Sequence, residues 1–78
     1  MSRTDHPAIY DLRGLKCPLP VLRTRKKLAA LPSQTELWVE TTDPLAVIDI
    51  PHMCHEDGHT LLTSETSGEG HRFLIRKG

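Results

Sequence analysis

The chain has 78 residues, and ten Lys and Arg balance ten Asp and Glu, so its formal net charge is zero. A chain this short buries only about 60 to 65% of its unfolded surface, which predicts one domain, 1–78. A net charge of zero provides no electrostatic basis for direct binding to nucleic acid or to an anionic membrane surface. We find no run of about 20 apolar residues and no secretory signal in residues 1–7, so we expect no membrane association and a cytoplasmic location. We expect residues 1–7 to be a flexible segment.

The two cysteines, Cys17 and Cys54, are too few for a disulfide framework. In a reducing compartment both should remain thiols. Stability must then come from the core, on the order of 3 to 5 kcal/mol for a domain of this size.

The first half of the chain predicts a strand, a helix and a second strand. Residues 8–12 read as a strand that ends in a turn at Arg13-Gly14. Residues 18–31 read as an amphipathic helix that Pro32 terminates. Its predicted apolar face contains Val21, Leu22, Leu28, Ala29 and Leu31. Residues 35–42 are rich in strand-forming residues and alternate in polarity, which predicts the second strand.

The second half predicts a helix and a hairpin. Asp43-Pro44 is a typical helix start, and Gly58 is a typical stop. Pro51 should kink or restart this helix, since it lacks an amide donor. Met53 and Cys54 should face the core. Residues 59–66 and 71–77 read as strands joined by a turn at 67–70.

The predicted order β-α-β-α-β-β indicates an α+β fold, a two-layer α/β sandwich. A four-stranded mixed sheet would carry both helices on one face and leave the other face less covered. Trp38 is expected on that open face.

Cys17 stands out because it precedes Pro18-Leu19-Pro20 at the predicted start of the first helix. Cysteine would occupy the N-cap, and the prolines would hold the junction rigid. Free amides of Leu19 and Val21, with the positive end of the helix dipole, are expected to stabilise a thiolate or persulfide anion.

Basic residues surround this position, because residues 12–35 contain six Lys and Arg and no carboxylate. Arg13 and Lys16 flank the thiol and should support its anion. Arg23, Lys26 and Lys27 lie on the polar helix face, where they either interact with solvent or bind an acidic partner. The sequence does not decide between these roles.

No second cysteine follows Cys17 at the spacing of a dithiol oxidoreductase, which argues against self-contained disulfide exchange. No phosphate-binding loop or paired-carboxylate motif is evident. A solitary activated thiol suits the transfer of a sulfur atom to another protein.

These residues resemble the TusA-type (SirA-like) sulfur carriers, whose signature is Cys-Pro-x-Pro at the head of the first helix. The segments 11–16, 43–44, 49–51, 58–59 and 73–78 also resemble that family, so the similarity runs from about residue 9 to the C-terminus. The resemblance implies a two-layer α/β sandwich and a stoichiometric sulfurtransferase-type carrier rather than a self-contained enzyme.

The resemblance further implies that Cys17 receives a persulfide from a cysteine desulfurase or another sulfur donor. A downstream relay protein would then accept the sulfur, with no cofactor beyond the covalent sulfur itself. In members of this family the sulfur ends in tRNA 2-thiouridine, in molybdenum cofactor metabolism or in sulfur oxidation. The sequence does not select among these pathways.

Three other interpretations of the sequence deserve comparison. A regulatory adaptor would bind through the basic helix without covalent chemistry, and a thiol redox sensor would oxidise Cys17 and resolve it with Cys54. A zinc site at His52, Cys54, His55 and His59 is disfavoured, since an inward-facing Cys54 would point away from His52 and His55. We therefore predict no metal and assign Cys54 to the core.

Overall fold

The computed structural model describes residues 7–78 and has the predicted element order. Expectations about residues 1–6 lie outside the described residues. The six elements are β1 (Ala8–Asp11), α1 (Leu19–Ala29), β2 (Glu36–Thr41), α2 (Ala46–Asp57), β3 (Thr60–Ser67) and β4 (Gly70–Arg76).

The four strands form one mixed sheet in the order β1-β2-β4-β3. β1 runs parallel to β2, with Tyr10 opposite Val39. β4 is antiparallel to both of its neighbours. The mixed sheet and the α+β class agree with the prediction, because a helix crosses between the parallel strands while a tight turn joins the antiparallel pair.

The core lies between the helices and one face of the sheet. Alternate residues of β2 and β4 are buried on that face, while their neighbours are only partly covered. The core cluster contains Leu12, Leu28, Leu37, Val39, Ala46, Ile50, Met53, Cys54, Phe73 and Ile75. On the other face Arg72 stacks over Trp38, 4.6 Å from the ring centroid. Trp38 therefore lies on the open face, as predicted.

Helix α1 buries a narrower stripe than the sequence suggested. Pro20, Thr24 and Leu28 are buried at i, i+4 spacing, whereas Leu22 is 50% exposed. The expectation that Leu22 faces the core is wrong, because positions two residues apart on an α-helix lie about 200° apart, which turns Leu22 away from the buried Pro20 and Thr24. Val21 is partly buried against the core cluster, as its predicted face requires.

Helix α2 follows a turn that Asp43 begins, and it runs from Ala46 to Asp57 through Pro51 without a break. The predicted restart at Pro51 is therefore wrong, since the loss of one amide donor did not interrupt the helix. Met53 and Cys54 are buried, and Gly58 caps the helix in the left-handed conformation at φ 79°, both as predicted.

β3 and β4 form the predicted hairpin. Ser67 pairs with Gly70, and Gly68 adopts a φ of 60°, which glycine accommodates without strain. Among residues 7–78, neither helix is both long and apolar enough to cross a bilayer.

Candidate functional site

Cys17 lies exposed in the segment between β1 and α1. Pro18 occupies the N-cap, whereas we predicted Cys17 there. Cys17 therefore lies one residue before the N-cap. The reason is a turn ahead of the helix, in which the Leu19 amide donates to the Lys16 carbonyl at 2.8 Å. The Leu19 amide is therefore not free to bind an anion, contrary to our expectation. Pro20 lies in the first helical turn, as predicted.

Asp43 joins the cysteine segment to the start of α2. Its Oδ2 accepts a hydrogen bond from the Cys17 amide at 2.6 Å, and its Oδ1 accepts one from the Leu45 amide at 3.2 Å. A further bond runs from the Gly14 amide to Thr42 Oγ1 at 2.9 Å. Two polar side chains at the end of β2 therefore position the backbone around the thiol.

Asp49 of α2 contacts the sulfur itself. The Cys17 thiol donates a hydrogen bond to Asp49 Oδ2, with 3.4 Å between Sγ and oxygen. That hydrogen bond, followed by desolvation and by the charges of Asp49 and Asp43, raises the pKa of the Cys17 thiol above its ordinary value. At rest the group is therefore a thiol.

This result corrects the expectation of a stabilised thiolate. The sequence argument counted the cations near Cys17 along the chain and missed two carboxylates that lie 26 and 32 residues away. Asp43 was identified only as a helix start, and Asp49 only as part of the segment 49–51. Residue spacing could not show that both side chains turn towards the cysteine, since that depends on how α1 and α2 pack.

Arg13 does not contact the thiol. Its guanidinium forms two bonds to the Asp11 carboxylate, at 2.9 and 3.0 Å, and lies 3.9 Å from Glu40. These bonds lower the pKa of Asp11 to about 2. Arg13 is thus occupied at the end of β1, and its expected role beside the anion is not supported. Lys16 is exposed directly before Cys17, and its role stays a prediction.

The basic residues of α1 remain on the surface. Arg23 and Lys26 are exposed, while Lys27 places Nζ 5.5 Å from the Tyr10 ring centroid. Their binding to a partner stays a prediction. Exposed apolar side chains also occur near the starts of both helices. We call these four residues the apolar rim: Leu19, Leu22, Leu45 and Ile48.

Cys54 is packed in the core, and two of the nearby histidines, His52 and His59, have partners. Cys54 is 2% exposed, and burial raises the pKa of its thiol to about 11, with a smaller contribution from Asp57. His52 lies 3.2 Å from Glu56, and His59 Nδ1 accepts the Gly78 amide at 3.0 Å. Within residues 7–78, no three His, Cys, Asp or Glu side chains are grouped as a metal ion would require.

An open cleft of about 290 Å³ lies between the β2–α2 connection and the hairpin turn that joins β3 to β4. Its lining comprises Thr42, Asp43, Pro44, Val47, Glu69, Gly70 and His71. Cys17 does not line this cleft. Its side chain is exposed, so a second macromolecule can reach the sulfur.

Comparison with known proteins gives a consistent result. The model of the family described as sulfurtransferase TusA matches residues 8–77. Among solved structures, the SirA-like protein from Desulfitobacterium hafniense is similar, with a TM-score of 0.78 and 24% sequence identity. The alignment covers 91% of this chain and 97% of that protein. At that identity the structural likeness establishes the shared fold.

Proposed function

This chain belongs to the sulfurtransferase TusA family, and from that membership we propose that it carries sulfur between proteins as a persulfide on Cys17. The observation that supports this most directly is the exposed Cys17 side chain in a segment held by hydrogen bonds. A carrier needs a sulfur atom that both a donor and an acceptor can reach in turn. Cys17 meets that requirement, and the buried Cys54 does not.

The transfer that we propose is an exchange of sulfane sulfur. The Cys17 sulfur attacks the terminal sulfur of a donor persulfide, the donor's S–S bond breaks, and a Cys17 persulfide and a donor thiol result. For delivery, an acceptor cysteine attacks the terminal sulfur of the Cys17 persulfide, the S–S bond at Cys17 breaks, and an acceptor persulfide and the Cys17 thiol result. No external oxidant, reductant or organic cofactor is required, because the number of sulfur–sulfur bonds is unchanged.

The donor in this proposal is a cysteine desulfurase or another sulfurtransferase, and the acceptor is a downstream relay protein. The apolar rim and the exposed Arg23 and Lys26 provide the kinds of side chain that a transient protein interface uses. The zero net charge supports contact with proteins rather than with RNA. We place this exchange in the cytoplasm, where tRNA thiolation, molybdenum cofactor metabolism or sulfur oxidation would use the sulfur.

The test is mass spectrometry of the protein after incubation with a cysteine desulfurase and cysteine, without reductant. We expect an added mass of one sulfur atom on the Cys17 peptide, removable by a thiol reductant. Cys17→Ser should fold and remain unloaded. Cys54→Ala is the matched control, since it removes the other cysteine and should still load.

Two outcomes would contradict the proposal. One is an unmodified Cys17 under conditions in which the same desulfurase loads another carrier. The other is full partner-dependent activity in Cys17→Ser, which would indicate a non-covalent adaptor. A redox sensor would instead show a peroxide-induced bridge that Cys54→Ala abolishes, and such a bridge would require the core around Cys54 to open.

A further inference from the structure

We propose that Asp49 is a catalytic residue of this transfer, which keeps the resting Cys17 as a thiol and accepts its proton as Cys17 bonds to the donor sulfur. The inference rests on the proposed carrier function and assigns a chemical role to a residue outside the Cys-Pro-x-Pro motif. The contact that motivates it is the 3.4 Å hydrogen bond from the thiol to Asp49 Oδ2.

The geometry of this contact is determined from both sides. Asp49 precedes Ile50, which is fully buried, so the core fixes the orientation of this turn of α2. On the opposite side, the bond of 2.6 Å between the Cys17 amide and Asp43 Oδ2 holds the cysteine backbone. Sγ and Asp49 Oδ2 therefore stay within reach of each other without a partner protein.

Asp43 is poorly suited to accept the proton. Both of its carboxylate oxygens already accept backbone amides, from Cys17 and from Leu45. These bonds occupy the oxygens of Asp43 with backbone donors rather than with the thiol. Asp49 Oδ2 instead faces the sulfur directly. The two carboxylates thus have separate tasks, positioning by Asp43 and proton transfer by Asp49.

The step balances in atoms and electrons. The proton leaves Sγ for Asp49 as the Cys17 sulfur forms a bond to the terminal sulfur of the donor persulfide. The donor's S–S bond breaks, and its electron pair stays on the donor sulfur. The proton then passes from Asp49 to that leaving thiolate. The products are a Cys17 persulfide, a donor thiol and an ionised Asp49.

The role of Asp49 becomes important when donor and carrier are docked. In solution, water can take the thiol proton, and small reagents then react with the thiolate fraction. A docked donor covers the exposed segment and excludes water from the reacting sulfurs. Asp49 Oδ2 then remains as the base within hydrogen-bond distance of the thiol.

The experiment measures two rates in the wild-type protein and in Asp49→Asn. The first is single-turnover loading of Cys17 by a saturating, persulfide-bearing cysteine desulfurase, so that binding differences do not affect the rate. The second is alkylation of Cys17 by iodoacetamide in the absence of a partner. Glu56→Gln removes a carboxylate from the exposed side of the same helix and is the control.

We expect the two rates to change in opposite directions. Loading of Asp49→Asn should slow by about tenfold or more, as expected for the loss of a general base. Alkylation should accelerate about threefold to tenfold, because the pKa of the thiol falls when the carboxylate is removed. Asp49→Glu should recover part of the loading rate, and Glu56→Gln should match the wild type in both measurements.

An unchanged loading rate, or one that rises together with alkylation, would overturn the inference, since Asp49 would then only suppress the thiolate. Failure of the wild type to load would instead contradict the carrier function itself. If Asp49→Asn does not fold by circular dichroism, Asp49→Ser has the same expected outcomes and replaces it.

Discussion

Cys17 and Cys54 show how strongly the surroundings of a residue determine its chemistry. Both are thiols, but Cys17 is exposed beside two aspartates, while Cys54 is packed among apolar side chains of the core. Both surroundings raise the pKa, by different causes: a hydrogen bond to a carboxylate for Cys17 and desolvation for Cys54. Accessibility, rather than thiolate content, therefore distinguishes the proposed carrier cysteine from the buried one.

At the residue scale, the pKa of Cys54 predicts a loss of stability at alkaline pH. Its thiol titrates at about 11 in the folded state, against 9.0 for an unperturbed cysteine. Below pH 9.0 both states hold the proton, and between the two values only the folded state does. The free energy of unfolding should therefore fall as pH rises through this interval.

Urea denaturation at several pH values between 9.0 and 11 measures this effect. Cys54→Ala should show a shallower decline than the wild type, whatever its stability at neutral pH. Equal slopes for the two proteins would indicate that Cys54 does not contribute to the alkaline transition.

At the scale of elements, the C-terminal end of α1 depends on a residue far along the chain. Lys77 Nζ donates to the carbonyls of Leu28 and Leu31, both at 2.8 Å. A cation at a helix C-terminus hydrogen-bonds the last carbonyls of the helix and interacts favourably with the helix dipole. The segment after β4 is therefore part of the structure that supports α1.

The prediction at this scale is that Lys77→Met lowers the free energy of unfolding by about 1 to 3 kcal/mol, since two charge-assisted hydrogen bonds are lost. Lys26→Met is the control, because Lys26 is exposed on the same helix and should change stability by less than about 0.5 kcal/mol. Urea denaturation followed by circular dichroism compares them. Similar losses in both variants would contradict the capping role.

At the scale of the whole molecule, one small core supports the sheet and both helices. Phe73 is fully buried in this cluster, and its strand β4 pairs with both β2 and β3. A domain of this size has a total stability of only about 3 to 5 kcal/mol. The free-energy cost of one large cavity in the core is therefore comparable to the total stability of the fold.

Phe73→Ala should cost about 3 to 5 kcal/mol and leave a large fraction of the protein unfolded at room temperature. Leu22→Ala is the informative comparison, since the half-exposed Leu22 should lose less than about 0.5 kcal/mol. Thermal denaturation followed by circular dichroism distinguishes the two variants. A large loss for Leu22→Ala would mean that it packs in the core after all.

The sequence alone predicted the order of the helices and strands, and it singled out Cys17 as the candidate carrier cysteine. Proline, glycine and polarity patterns act over a few residues, so they located both helices, the Gly58 stop and the turn at 67–70. The Cys17-Pro18-Leu19-Pro20 motif is equally local, and it carried the family resemblance that the comparison with known proteins supports.

Only the tertiary structure decided the electrostatic surroundings of Cys17. The sequence placed Arg13 near the thiol and predicted a stabilised anion, whereas the fold pairs Arg13 with Asp11 and brings Asp43 and Asp49 to the cysteine. The exposure of Leu22 and the burial of Thr24 depended on packing in the same way. The physical reason is that hydrogen bonds and charges act through distance in space, which the packing of α1 against α2 sets and local sequence patterns do not.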